Sequence, residues 1–148
     1  TLELIRNAVG PDVRLRVDAN QGYNFTQASS MLIEMKKYGV EAIEQCLPDW
    51  DLDGAARLRR QGGGIQLMLD ESVHTTRDAA RICKAEAADI MNIKLMKCGG
   101  LYRGSQISAI GESFGGNLYG GLYDGDENCH YSRTEPGSSQ EKYYRGRL

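Results

Sequence analysis

Val13-Arg14-Leu15-Arg16-Val17-Asp18-Ala19-Asn20-Gln21-Gly22 sets the pattern that organises this chain. Val13 to Val17 alternates apolar and charged residues and is β-branched at both ends, which predicts a strand. An acid closes the strand and a glycine-containing turn follows. Thr26 is placed to cap a helix in which Ala28, Met31, Leu32 and Met35 recur at helical spacing. Gly39 is placed to end that helix. The unit then repeats: Ala42 to Gln45 reads as a strand, Leu52 to Arg60 as a helix closed by Gly62-Gly63-Gly64, and Ile65 to Leu69 as a strand. Thr76 to Lys84 is the next helix, with Ala79, Ala80, Ile82 and Cys83 on its apolar side. Ile90 to Ile93 is a fourth strand, and Leu101 to Phe114 a fourth helix carrying Ile107, Ile110 and Phe114.

Strands alternating with helices predict βαβ units and a parallel sheet. The fold class is therefore α/β, a partial (β/α)8 TIM-type barrel of about four β/α units over residues 1–115. Each predicted strand also delivers a polar residue at its C-terminal end. Asp18 and Glu44 are 26 residues apart, Glu44 and Asp70 are again 26 apart, and Lys94 follows 24 residues later. Parallel α/β enzymes carry their chemistry at that end of the strands.

Three carboxylates brought to one point repel one another unless a cation joins them. All-oxygen donors suit a hard ion, and Mg²⁺ is the natural occupant because it leaves positions for water or substrate oxygens. Any single acid at a strand end also reads as a helix cap or a solvated loop residue; three at matched spacing, with a lysine in the same phase, read as a metal site held by Asp18, Glu44 and Asp70. Lys94 is flanked by apolar residues, and desolvation or a nearby cation moves a lysine toward the range of a general base. Lys97 is expected instead to snorkel at the rim.

Four segments resemble the barrel motifs of the enolase superfamily: Val17-Asp18-Ala19-Asn20-Gln21-Gly22, Ile43-Glu44-Gln45, Asp70-Glu71-Ser72 and Asn92-Ile93-Lys94-Leu95-Met96-Lys97-Cys98-Gly99-Gly100. They fall in order and cover residues 1 to about 115. The subgroup they resemble is the muconate-lactonizing type, and the lysine segment is most similar to the dipeptide (L-Ala-D/L-Glu) epimerases. This resemblance implies that Asp18, Glu44 and Asp70 ligate Mg²⁺, that Lys94 is one of two acid/base lysines, and that Asn20 and Glu71 support the metal. It implies an isomerase, a racemase or epimerase, that removes the α-proton of a small-molecule carboxylate, a dipeptide for choice, through a metal-stabilised enolate. A muconate cycloisomerase or o-succinylbenzoate synthase type of enzyme is the alternative, and a non-catalytic half-barrel remnant is a third. Cys46 stands where the family has proline after Glu-Gln.

Composition narrows the rest. A net charge of −2 over 148 residues draws the chain to neither nucleic acid nor an anionic membrane. No apolar run approaches the roughly 20 residues of a membrane span. Residues 1–7 lack the pattern of a secretory leader. Cys46, Cys83, Cys98 and Cys129 show no metal-finger spacing and read as reduced thiols, which places the chain in the cytoplasm.

The family's second lysine belongs to a Lys-x-Lys motif on the strand before Asp18, and residues 1–17 hold no lysine. The family's N-terminal capping domain has no counterpart in these residues either. A half-barrel is expected to leave sheet edges open, which favours homo-oligomers through those edges. After Gly115 the apolar periodicity stops, and residues 116–148 read as an irregular tail without a strand the size of the earlier ones. The genetic code offers a reason. Shifted by one base, codons for Leu118 to Glu127 can read Cys-Met-Val-Gly-Cys-Met-Met-Glu-Thr-Lys, and those for Gly137 to Tyr144 can read Ala-Ala-Ala-Lys-Lys-Asn-Ile-Thr. Both strings resemble the family's next strand and helix, so a frameshift near residue 116 is expected.

Overall fold

The structure, a computed structural model, describes residues 2–114 with their side chains, and the backbone of residues 119–123 and 143–147. In chain order the elements are α1 (Leu2–Val9), β1 (Arg14–Asp18), α2 (Phe25–Lys37), β2 (Val40–Glu44), α3 (Leu52–Gln61), β3 (Gln66–Leu69), α4 (Thr76–Ala85), β4 (Ile90–Lys94), α5 (Leu95–Cys98), α6 (Leu101–Ser113), β5 (Tyr119–Tyr123) and β6 (Tyr143–Arg147). The expected β/α units are present, each within a few residues of its predicted bounds. The strands form one parallel sheet in the order β5-β4-β3-β2-β1-β6. The four central strands and their helices make a half-barrel.

Period-2 alternation sorts the strand residues between two faces. Leu15, Val17, Ile43, Leu67, Leu69, Met91 and Ile93 join one continuous core with Leu32, Met35, Leu58, Ile82 and Ile107 from the helices. Ala42, Met68 and Ile90, at the alternate positions, are buried outside that core. Asp18, Glu44, Asn92 and Lys94 share the phase of that second face and lie at its C-terminal end. The register sets Asp18 opposite Glu44 and, through Met68, Glu44 in line with Ile90, so Asn92 and Lys94 lie two and four residues further along β4.

Local chemistry corrects some expected details. The cap of α2 is Asn24, not Thr26: Asn24 Oδ1 accepts from the Gln27 N–H at 2.9 Å and Gln27 Oε1 accepts from the Asn24 N–H at 3.0 Å. The pair satisfies two donors at once, which a threonine inside the first turn does not do. Thr75 and Asp78 cap α4 in the same way. Phe114, expected on the apolar side of the last helix, is 57% exposed because that helix ends at Ser113.

The edges expected to lie open at β1 and β4 are paired. β6 runs beside β1 from Arg14 opposite Tyr143 to Asp18 opposite Arg147, and β5 runs beside β4 from Ile90 opposite Tyr119 to Lys94 opposite Tyr123. So the tail carries two five-residue strands where the sequence reading expects none of that size. Tyrosine is a strong strand former, and unpaired parallel edges offer backbone groups to tyrosine-bearing segments. The rest of the expected irregular tail, including Cys129 and His130, lies outside the described residues. Among the described residues, Cys46, Cys83 and Cys98 are free thiols, and no helix is long and apolar enough to cross a membrane.

Candidate metal and acid/base site

Asp18 and Glu44 are the last residues of β1 and β2, Asp70 follows β3 directly, and Lys94 ends β4. The three acids are 5%, 8% and 4% exposed, so each carboxylate has left bulk water. Groups so placed need partners, and those of Asp70 are specific. Lys94 Nζ and Lys97 Nζ each form an ion pair with its carboxylate, and Lys97 also donates to its backbone carbonyl at 2.6 Å. Lys97 is thus no rim residue reaching for solvent. The short helix α5 begins straight after Lys94, and its helical turn brings Lys97 back over the end of β3.

The three carboxylates do not converge as expected. Among the described residues, no three His, Cys, Asp or Glu side chains form a group able to hold a metal ion. The physical reason is visible at Asp70, whose two oxygens each face an ammonium. The donor chemistry still fits Mg²⁺. Three buried carboxylates stand on three adjacent strand ends, and a buried oxygen beside them, Asn92 Oδ1, has no hydrogen-bond partner among the described residues.

Backbone strain gathers at the same edge. Asn20, Gln21 and Gln45 have φ of 44°, 60° and 38°, a region that costs a non-glycine residue on the order of 1–3 kcal/mol and persists only where surroundings enforce it. Here they do. Beyond the strand ends the ladder continues, with Ala19 N–H donating to Glu44 O at 3.0 Å, Gln21 N–H to Gln45 O at 2.7 Å and Tyr23 N–H to Cys46 O at 3.0 Å. Gln45, 1% exposed, uses its whole amide. Its Oε1 accepts from the N–H groups of Asp70 (2.9 Å) and Ser72 (3.3 Å), and its Nε2 donates to Leu47 O and Ser72 Oγ, both at 3.0 Å. This amide joins the end of β2 to the turn after β3 that carries Asp70.

The two expected supporting residues are placed differently from expectation. Asn20 is exposed and serves through its backbone, whose N–H donates to Asp18 Oδ1 at 3.1 Å. Glu71 lines a cleft of about 330 Å³ together with Trp50, His74 and Arg81; Asp18, Glu44 and Asp70 do not line it. Glu71 lies in the turn after β3, beyond the strand whose alternation orients its neighbours. Three residues at the site escaped assignment from sequence: Gln45, Asn92 and Lys97. For Asn92 a signal existed, because it lies two residues before Lys94 and so on the same face.

Residues 1–128 match the family model described as "Enolase C-terminal domain-like". The L-Ala-D/L-Glu epimerase of Clostridium acetobutylicum is 41% identical over 113 residues, 75% of this chain and 31% of that protein. The N-succinyl-L-Arg/Lys racemase of Bacillus cereus is 37% identical over 115 residues, 77% of this chain and 31% of that protein. The dipeptide epimerase from Enterococcus faecalis V583, solved with Mg and the dipeptide L-Leu-L-Tyr, superposes with a TM-score of 0.77 at 35% identity, covering 82% of this chain and 34% of that one. The chain therefore spans about a third of the length of the curated relatives it matches.

Proposed function

The chain belongs to the enolase C-terminal domain-like family, and from that membership we propose that it supplies the metal edge and one acid/base lysine of an isomerase acting at the α-carbon of a carboxylate substrate, with a dipeptide as the substrate class. The similarity to epimerases and a racemase supports the reaction type, and the L-Ala-D/L-Glu epimerase supports the dipeptide. The observation that carries the reading is the row of side chains at the C-terminal strand ends, in which Lys94 Nζ reaches the carboxylate of Asp70.

Asp18, Glu44 and Asp70 would hold Mg²⁺, which when bound supplies a fixed positive charge against a substrate carboxylate. Lys94 exchanges the α-proton at Nζ. To reach the α-carbon, Nζ leaves its ion pair with Asp70.

The test follows the α-proton of the glutamate in L-Ala-L-Glu by ¹H NMR, with the full chain and Mg²⁺ in D₂O. Loss of the signal, abolished by Lys94→Met, is the expected result. Absence of both exchange and saturable Mg²⁺ binding overturns the reading. Exchange with an N-succinyl amino acid but not with the dipeptide overturns the substrate class alone.

A further inference from the structure

We infer that Asn92 is a positioning residue for Glu44, setting the direction in which that carboxylate meets a divalent cation; the inference rests on the metal role proposed above for Glu44. Asn92 sits within β4, 2% exposed, and its Nδ2 donates to Glu44 Oε1 at 2.9 Å. The two residues are 48 apart in sequence and two strands apart in the sheet, with β3 between them. Neighbouring strands are about 4.8 Å apart, so flat sheet geometry would leave the two backbones close to 10 Å from each other. The side chains meet because the half-barrel curves and both point to its concave side.

The chemistry of the pair is selective. An amide N–H is a neutral donor, so it fixes one oxygen of Glu44 without adding positive charge beside it. A lysine at position 92 would supply a competing cation, as Lys94 and Lys97 do at Asp70, and an aspartate would repel Glu44. The other end of the amide adds a second observation. Asn92 Oδ1 is buried and has no hydrogen-bond partner among the described residues, and an unsatisfied buried acceptor is uncommon enough to require a cause. Beside a carboxylate it faces no donor from that side chain. It is placed to accept from a proton donor that arrives with the bound ligand.

Partners that orient a metal-binding side chain typically contribute about 10–100-fold in affinity. Calorimetric titration of the full chain with MgCl₂ tests the assignment. Asn92→Leu removes donor and acceptor at similar volume, and Asn92→Ser removes their reach at smaller volume, so at least one should fold. Both are expected to raise the Kd for Mg²⁺ by about 10–100-fold. Arg59→Ala, which breaks the Arg59–Asp89 ion pair (2.7 Å) away from these strand ends, should lower the melting temperature and leave the Kd within about twofold. That comparison separates positioning from general stability, because a merely structural Asn92 would behave as Arg59 does. A folded Asn92 variant with wild-type Kd overturns the inference and leaves the metal site standing. A wild-type chain without saturable Mg²⁺ binding overturns the metal reading itself, and this inference with it.

Discussion

Lys97 holds Asp70 by two different groups, pairing with its carboxylate and donating to its backbone carbonyl at 2.6 Å. Because Lys94 pairs with the same carboxylate, the end of β3 carries one buried negative charge against two ammonium groups. Lys97 thus serves the fold as well as the site, since it ties the start of α5 to the turn after β3.

That arrangement predicts the effect of removing Lys97. Lys97→Met loses a charge-assisted bond and a carbonyl contact at a carboxylate that is 5% exposed, and is expected to destabilise the chain by about 1–3 kcal/mol. Asp70→Asn in the same background should recover none of the loss, because Lys94 still compensates the carboxylate once Lys97 is gone and would itself lose its partner. Urea denaturation of the single and double variants measures this. Equal stability of wild type and Lys97→Met would place Lys97 at the rim, as its sequence context first suggests.

Gln45 predicts a larger local effect. Its amide oxygen accepts from the N–H groups of both Asp70 and Ser72, and Gln45→Ala leaves both without that acceptor. Unsatisfied buried groups cost about 1–3 kcal/mol each, so a loss of about 2–4 kcal/mol is expected, with faster amide hydrogen exchange at Asp70 and Ser72. Gln45→Glu should be no rescue: it keeps the acceptor but loses the donor to Leu47 O and buries a charge. Wild-type exchange at Asp70 in Gln45→Ala would refute the assignment.

These two residues show what was legible in the sequence. Periodicity located the four central strands and four of the helices, and the equal spacing of Asp18, Glu44, Asp70 and Lys94 placed all four at one edge of one sheet. Such signals are local and repeat once per β/α unit. What escaped depends on contacts between units. Lys97 looked like a surface lysine because its partner lies 27 residues away and becomes a neighbour only when α5 turns back. Asn92 bonds to Glu44 across an intervening strand, a contact between residues 48 apart that no local pattern announces. Thr26 and Asn24 are both capping residue types, and the paired bond to Gln27 makes Asn24 the cap.

Cys46 predicts a pH dependence. The thiol is 2% exposed, and burial pushes its pKa from 9.0 up to about 12. The Tyr23 phenol is also raised, first by burial and then by the proximity of Cys46. Both groups stay neutral in the fold at pH values where the unfolded chain has begun to release their protons. Their contribution to stability is thus complete below pH 9 and is lost as pH rises from 9.0 toward about 12. The urea midpoint should fall over that interval. Cys46→Val, of similar volume, should keep stability at pH 7 within about 1.5 kcal/mol and flatten the fall. An equally steep fall in Cys46→Val would assign the dependence to other groups.

The tail yields a prediction at the level of the gene. Apolar periodicity ends near Gly115. We propose that residues 1–115 are the partial barrel domain and that the reading frame of residues 116–148 is displaced by one base. A displaced frame explains why a chain with regular β/α units passes abruptly into a segment rich in glycine, tyrosine and charge. It also makes a definite demand on the DNA. The codons of Leu118 to Glu127 must read Cys-Met-Val-Gly-Cys-Met-Met-Glu-Thr-Lys, or a near variant, when shifted, and the same shift must give the alanine- and lysine-bearing string over Gly137 to Tyr144. Each glycine and leucine codon in these stretches is degenerate, so chance would seldom choose the required bases at every position. Sequencing the gene across this region decides the matter. Stop codons or unrelated residues in the shifted frame would show the tail to be a genuine segment, and would make β5 and β6 its selected contribution to the sheet.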